Sequence, residues 1–131
     1  MPAVSPSESA IRSTLADYVR AFTEKNRELW MRVFAPDATQ EDPIGSGQLS
    51  GREQIGRFWD DAFAANRNIQ LVAREIYVCG SEATMVWSIT RQTNDRGSRR
   101  YSGVDVFSFD SDARIRDVRA FWQRSLVEKG E

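Results

Sequence analysis

Two aspartates, Asp42 and Asp105, are the residues of this 131-residue chain whose positions could support acid–base chemistry. Asp105 interrupts the run YSGVDVFSF at 101–109, which otherwise predicts a buried β-strand. A buried carboxyl group is costly unless it is protonated or paired. Asp42 lies in QEDPIGS at 40–46, a turn-rich segment that can direct a side chain into a cleft. Two carboxyl groups in unlike environments can act as base and acid in one site.

Each of these residues also has a purely structural interpretation. Asp105 could face outward or pair with an arginine, and an aspartate before a proline, as at Asp42, is ordinarily a turn residue. Tyr18 lies on the apolar stripe of a predicted helix, where most tyrosines belong to the core, yet a buried phenol needs a hydrogen-bond partner. A phenol and a carboxylic acid that meet in a dry pocket could both donate to one developing oxyanion. The residues alone leave both interpretations open.

The composition excludes several classes of protein. The chain contains no histidine, so Ser-His-Asp triads, Cys-His dyads and His-based zinc sites are excluded. The net charge of −1 gives no indication of a nucleic-acid partner. No apolar run approaches the roughly 20 residues of a membrane span. Cys79 is the single cysteine, which excludes an intrachain disulfide, and the N-terminal residues do not resemble a signal peptide. A cytoplasmic location is therefore expected.

The elements that must position the candidate residues begin with helices. A capping pattern predicts a first helix from Ser5, with Tyr18 on its apolar stripe. A short second helix is predicted over about residues 27–34, and a third over about 50–65. A short strand near residues 38–41 leads into the Asp42 turn.

Strands dominate the second half of the chain. Four segments rich in β-branched and aromatic residues are separated by turn signals, and they lie near 69–79, 82–93, 99–110 and 114–126. Helices followed by a meander of strands predict a single α+β domain over 1–131 with the helices packed on one sheet face, and residues 1–5 are expected to be disordered.

Several segments resemble those of the bacterial Δ5-3-ketosteroid isomerases, which have the fold of nuclear transport factor 2. The resemblance covers about residues 11–126. It rests on DYVRA at 17–21, FAPDAT at 34–39, EDPIGS at 41–46, SGREQI at 50–55, VDVFSF at 104–109 and RAFW at 119–122. It implies a cone-shaped, cystatin-like α+β fold. In that fold three N-terminal helices pack on a curved, mixed, mostly antiparallel sheet and enclose an apolar pocket.

The same resemblance implies roles for three residues. Asp42 would be the general base that takes a proton from the carbon beside the ketone of a Δ5-3-oxosteroid and returns it two carbons along the dienolate. Tyr18 and a protonated Asp105 would donate hydrogen bonds to the dienolate oxygen. A neutral aspartic acid in the oxyanion hole is an established feature of ketosteroid isomerases, and the assignment here is taken over from that family. No cofactor or metal is implied. The expected partners are a small apolar ligand, a 3-oxosteroid, and a second copy of the chain in a homodimer.

Nine further residues are candidates for the substrate pocket. They are Phe22, Phe34, Trp59, Met85, Trp87, Gly103, Val118, Ala120 and Trp122. Gly103 leaves space beside Asp105, as expected where something approaches a strand closely. Phe34 and Trp59 occupy positions where some family members have further tyrosines behind the catalytic one. Phe34 cannot form hydrogen bonds, and Trp59 can donate but not accept.

Other activities are known on this fold. Dehydratases of the scytalone type depend on histidine, which this chain lacks. Epoxide hydrolases of the limonene type use an arginine near the strand aspartate, where this chain has Gly103. Two alternatives remain open: a polyketide cyclase, which also needs an acid–base carboxyl group in an apolar cone, and a non-catalytic carrier of hydrophobic ligands.

Overall fold

Three helices cover one face of a single sheet in the computed structural model, which describes residues 5–130. The helices are α1 (Glu8–Glu24), α2 (Arg27–Arg32) and α3 (Gly51–Ala65). The strands are β1 (Phe34–Glu41), β2 (Leu49–Ser50), β3 (Asn66–Cys79), β4 (Glu82–Thr93), β5 (Ser98–Phe109), β6 (Ile115–Phe121) and β7 (Glu128–Gly130). A 3₁₀ turn covers Arg124–Leu126. The predicted α+β class and the order of helices and strands are confirmed.

The sheet is curved and mixed, with antiparallel pairing between most neighbours. Its strand order is β2-β1-β6-β5-β4-β3, and β7 pairs with the N-terminal end of β5. The pair β1–β6 is parallel, with Gln40 beside Val118 and Glu41 beside Arg119. The three longest strands, β3, β4 and β5, form a continuous antiparallel meander. This meander supplies one wall of the interior, and α1 and α3 supply the other.

Several predicted element boundaries were wrong: the first strand begins at Phe34 rather than near residue 38, the strand predicted near 114–126 ends at Phe121, and the first two helices also differ. The first helix is capped by Ser7 rather than Ser5, because the Ser7 Oγ accepts a hydrogen bond from the Ala10 backbone N–H at 3.0 Å. The second helix ends at Arg32, and Phe34 already begins β1. The expected disorder of residues 1–5 concerns residues that, apart from the exposed Ser5, lie outside the described part of the chain.

The core lies between the helices and the inner sheet face. The apolar stripe of α1 is buried as its spacing predicts, with Ile11, Leu15, Tyr18 and Phe22 all facing the sheet. Aromatic rings dominate the packing: Trp30 lies 4.7 Å from Phe34 and 5.1 Å from Trp59 between ring centroids. Among residues 5–130, no helix is both long and apolar enough to cross a membrane.

Candidate active site

A cavity of about 320 Å³ opens between α1, α3 and the inner sheet face. Its walls are mostly apolar, but several ionisable groups border it, and Tyr18, Asp42 and Asp105 are among them. Three of the nine candidate pocket residues, Phe22, Trp87 and Trp122, also line it. The fold therefore brings together residues that are separated by up to about a hundred positions in the sequence.

Tyr18 and Asp105 reach the cavity from opposite walls. Tyr18 lies on the buried stripe of α1, and its ring packs edge-on against Phe107 at 5.4 Å between centroids. Asp105 lies on β5, opposite Met85 on β4 and Ala120 on β6, so it stands in the middle of the sheet. Both side chains are only 4% exposed. A phenol and a carboxyl group thus meet the same dry space.

Asp42 lies just beyond the end of β1 and is held by the end of β6 and by Trp122, the residue that follows it. The Trp122 indole N–H donates to the Asp42 Oδ1 at 2.6 Å, and the Ile44 backbone N–H donates to the Ala120 carbonyl at 2.8 Å. The peptide bond between Asp42 and Pro43 is cis. These contacts hold the Asp42 carboxyl group at the cavity while leaving its other oxygen free of protein hydrogen bonds among the described residues.

The three groups are electrostatically coupled. Burial raises the pKa of Asp105 well above its ordinary value, and the negative charge of Asp42 raises it further. The Trp87 indole N–H, which lies nearby without a well-formed hydrogen bond, lowers this pKa less strongly. Burial likewise raises the pKa of Tyr18 well above its ordinary value, with contributions from Asp105 and Asp42. These shifts favour the protonated, neutral forms of both Asp105 and Tyr18.

Asp42 is in a more polar environment than Asp105. Burial raises its pKa too, but the hydrogen bond from Trp122 and the charge of Arg124 act in the opposite direction. Arg124 also borders the cavity. The pKa of Asp105 is therefore raised more strongly than that of Asp42, which makes Asp42 the more acidic of the two carboxyl groups.

The group behind Tyr18 is Trp30, which the sequence analysis missed. Its ring lies 6.2 Å from the Tyr18 ring between centroids, and its indole N–H acts to lower the pKa of Tyr18. Phe34 also contacts this ring edge-on, at 6.3 Å. Trp59 packs on Phe22 at 5.1 Å. The indole of Trp30 therefore lies next to the phenol of Tyr18. The apolar face of the short helix α2 was visible in the sequence, but its direction was not.

Six of the nine candidate pocket residues do not border the cavity. Met85, Val118 and Ala120 lie on the inner sheet face and are at most 2% exposed, but they are not among the residues that line the cavity. Phe34 and Trp59 belong to the aromatic cluster behind Tyr18 and Phe22. The sixth is Gly103, whose surface is covered by the Trp87 ring: a Cβ atom there would lie 2.6 Å from the Trp87 Cζ2. The space beside Asp105 therefore accommodates a tryptophan of the protein itself.

Substitution of Gly103 by alanine is expected to lower the free energy of unfolding by about 1–3 kcal/mol. The added Cβ would stand 2.5 Å from the Phe121 carbonyl oxygen, which belongs to the backbone of β6 and cannot move independently. Urea denaturation measures the change. Gly97→Ala is the matched control, because its Cβ would meet only side-chain atoms at 3.2 Å and a backbone oxygen at 3.4 Å. Equal stability of Gly103→Ala and the unsubstituted protein would contradict this packing.

Substitution of Asp105 by asparagine is expected to stabilise the protein in a pH-dependent way. The native Asp105 pKa is raised, so the folded state retains a proton that the unfolded state loses above about pH 4. In the unsubstituted protein, Asp105 therefore makes its full contribution to the free energy of unfolding below about pH 4. This contribution decreases as the pH rises toward the pKa of Asp105 in the folded state.

The gain from Asp105→Asn should therefore be close to zero near pH 4 and grow by about 1.4 kcal/mol per pH unit above it, until the native pKa is reached. Denaturation curves at several pH values measure this slope. The exposed Asp112 gives the control substitution Asp112→Asn. A gain that does not change with pH would show that Asp105 is ionised in the folded protein.

The fold and the site define a class: small α+β proteins with an apolar cavity closed by helices and bordered by acidic groups. Comparison with known families and structures assigns the chain within this class. Residues 15–126 match the SnoaL-like domain model, and the chain belongs to this family. It is 32% identical over 114 residues to the steroid Δ-isomerase of Nocardioides simplex, covering 86% of this chain and 89% of that protein.

Two solved structures have the same fold. A Mycobacterium tuberculosis protein in complex with estradiol-17β-hemisuccinate superposes with a TM-score of 0.84 at 21% identity, covering 91% of this chain and 98% of its own. The Δ5-3-ketosteroid isomerase of a Mycobacterium species superposes with a TM-score of 0.83 at 18% identity, covering 96% of this chain and 99% of its own. The predicted resemblance to ketosteroid isomerases and to the nuclear transport factor 2 fold is confirmed.

Proposed function

We propose that this protein is a cofactor-independent steroid Δ-isomerase that converts a Δ5-3-oxosteroid into its Δ4 isomer. The observation that carries this proposal is the convergence of Tyr18, Asp42 and Asp105 on one apolar cavity, where burial raises the pKa of Asp105 more strongly than that of Asp42. The similarity to the Nocardioides simplex isomerase supports the same activity.

The proposed mechanism assigns the proton transfers to Asp42 and the stabilisation of the developing oxyanion to Tyr18 and Asp105. Asp42, ionised and held by Trp122, removes a proton from the carbon between the ketone and the double bond. Negative charge then develops on the ketone oxygen, where the neutral Tyr18 and Asp105 donate hydrogen bonds in a site with little competing water. Asp42 returns the proton two carbons along the dienolate. The proton that Asp42 takes from the substrate is returned to the same substrate molecule, so these steps require no further reactant.

The test is an isomerisation assay with 5-androstene-3,17-dione, followed by the absorbance of the conjugated enone. Turnover by the unsubstituted protein that is well above that of Asp42→Ala is expected. Turnover no greater than that of Asp42→Ala would overturn the proposal. Ring closure of a polyketide without isomerase activity would identify a cyclase instead. Steroid binding that is indifferent to Tyr18, Asp42 and Asp105 would identify a carrier.

We further propose that the protein forms a homodimer through the outer sheet face, as the family resemblance implies. That face carries exposed apolar side chains on β3 and β6, namely Val72, Tyr77 and Phe121. Such exposed apolar groups are typical of interaction surfaces. Sedimentation at micromolar concentration is expected to give twice the mass of the chain, and a monomeric mass would contradict the proposal. A cytoplasmic location stays a prediction.

A further inference from the structure

The end of the cavity remote from Tyr18 and Asp105 carries a second pair of polar groups. They are Asn66, at the start of β3, and Arg91, near the end of β4, and both line the cavity. Asn66 pairs with Thr93 across the β3–β4 ladder, so Arg91 is its diagonal neighbour. Diagonal neighbours lie about 7–8 Å apart in a regular ladder. A register shift follows Asn66, but both side chains border the same cavity, where one ligand group can approach them.

Asn66 offers a hydrogen-bond acceptor. The residue is 3% exposed, and its Nδ2 donates to the Ala62 carbonyl at 2.8 Å. Because only the amide nitrogen can donate to a carbonyl, this bond determines the orientation of the amide. The Oδ1 is buried and accepts no hydrogen bond from the described residues. A buried acceptor without a partner is costly in the free protein, and a ligand that donates to it recovers that cost.

Arg91 offers a donor. Its Nε is buried and donates to no acceptor among residues 5–130, and its guanidinium lies over the Tyr101 ring, 5.4 Å from the centroid. Burial raises the pKa of Tyr101 to about 12, so the ring beneath the guanidinium stays a neutral phenol. No carboxylate of the described residues lies within ion-pair distance of Arg91. Its donor capacity is therefore available to a ligand.

The separation of the two polar ends suits a rigid, elongated ligand. Asp105 pairs with Met85, whereas Tyr101, under the Arg91 guanidinium, pairs with Ile89. The four-residue offset along the strand corresponds to about 13 Å at roughly 3.3 Å per residue. The wall between the two ends is apolar and aromatic, with Trp87, Leu71 and Ile89 among its residues. A fused ring system with a polar group at each end fits this pattern.

We infer that Asn66 and Arg91 together bind a hydroxyl group at the end of the ligand remote from its ketone; this inference rests on the proposed function, which places the ketone at Tyr18 and Asp105. A hydroxyl group can donate to the Asn66 Oδ1 and accept from the Arg91 Nε–H at the same time. A ketone can only accept, and it leaves the Asn66 acceptor without a partner. A methylene group satisfies neither.

The test compares three product-type ligands that differ only at carbon 17. They are 17β-hydroxy-4-androsten-3-one, 4-androstene-3,17-dione and 17-deoxy 4-androsten-3-one. Displacement of equilenin, a fluorescent phenolic steroid, measures each dissociation constant in the same cavity. The hydroxy ligand is expected to bind at least about 10-fold more tightly than the deoxy ligand, with the ketone between them. The affinity ratio within one protein cancels any general effect of a substitution on the cavity.

Two variants assign the preference to its residues. Arg91→Met should reduce the hydroxy-to-deoxy ratio to about 2 or less, and Asn66→Leu should reduce the hydroxy-to-ketone ratio to about 1. Arg96→Met removes the same charge from the exposed turn after β4, away from the cavity, and should leave both ratios unchanged. The two cavity variants test different ratios, so each is informative if the other fails to fold.

The possible failures are distinguishable. Equal binding of the three ligands by an active isomerase would overturn the inference alone, as would ratios that neither cavity variant changes. Tightest binding of the ketone would overturn it as well. Failure of equilenin and of all three ligands to bind, together with absence of isomerase activity, would overturn the proposed function and this inference with it.

Discussion

Replacement of Asp42 by asparagine is expected to lower kcat for steroid isomerisation by on the order of 10⁴-fold. Asparagine retains the shape of the side chain and can still accept the hydrogen bond from Trp122. It cannot take up a proton at neutral pH. In this scheme Asp42 both removes the proton and returns it, so its substitution affects both proton transfers. The loss should appear in kcat, with a small change in KM.

The same variant provides its own control for a folded cavity. Equilenin should still bind to Asp42→Asn, because the Tyr18 and Asp105 donors are unchanged and the negative charge near them has been removed. Asp37→Asn is the matched control for activity, since Asp37 is exposed on the same strand β1. A kcat for Asp42→Asn within about 10-fold of the unsubstituted value would exclude Asp42 as the base.

Removal of either oxyanion donor is expected to lower kcat by about 10²–10³-fold. Tyr18→Phe deletes the phenol O–H, and Asp105→Leu replaces the carboxylic acid with an apolar group of similar volume. Both groups donate to the same developing charge, so the double variant should lose less than the product of the two single losses. Steady-state kinetics on the three variants measures this coupling.

Two further variants separate chemistry from folding. Tyr77→Phe is the control for loss of a tyrosine hydroxyl group, because Tyr77 is 57% exposed and donates to Glu75 outside the cavity. Asp105→Asn retains a hydrogen-bond donor and should be less impaired than Asp105→Leu. If Asp105→Leu and Asp105→Asn both retained full kcat, Asp105 would be a structural residue only.

Much of the fold could be predicted from the sequence because local patterns determine it. The apolar stripe of α1 predicted the burial of Tyr18, and the turn signals predicted the meander of β3, β4 and β5. The predicted end of α2 was wrong because Val33 and Phe34 continue the apolar pattern of the helix, whereas the backbone changes to the β1 strand at Phe34. A run of apolar residues does not distinguish the two conformations at a boundary.

The site was less predictable because side chains separated in sequence determine it. The alternation of side chains along β6 correctly predicted that Val118 and Ala120 face the interior. The curvature of the sheet, however, determines which of the inward-facing residues border the cavity. The contact between Trp122 and Asp42 spans 80 positions and had no local signal. Asn66 and Arg91 resembled ordinary polar residues at strand ends. Only their burial without partners distinguishes them.

The parallel pairing of β1 with β6 has a consequence for the order in which this protein can become active during synthesis. Asp42 follows β1, which pairs with β6. Trp122, whose indole N–H donates to Asp42, follows the end of β6 at Phe121. A nascent chain that has emerged as far as Asp105 already contains all three reactive groups but lacks the strand that fixes the base. Pairing of β1 with β6 closes a long loop, and the entropic cost of closing a long loop makes such contacts form late in folding. The carboxyl group of Asp42, the base in the proposed scheme, should therefore be fixed only after β6 and Trp122 have left the ribosome.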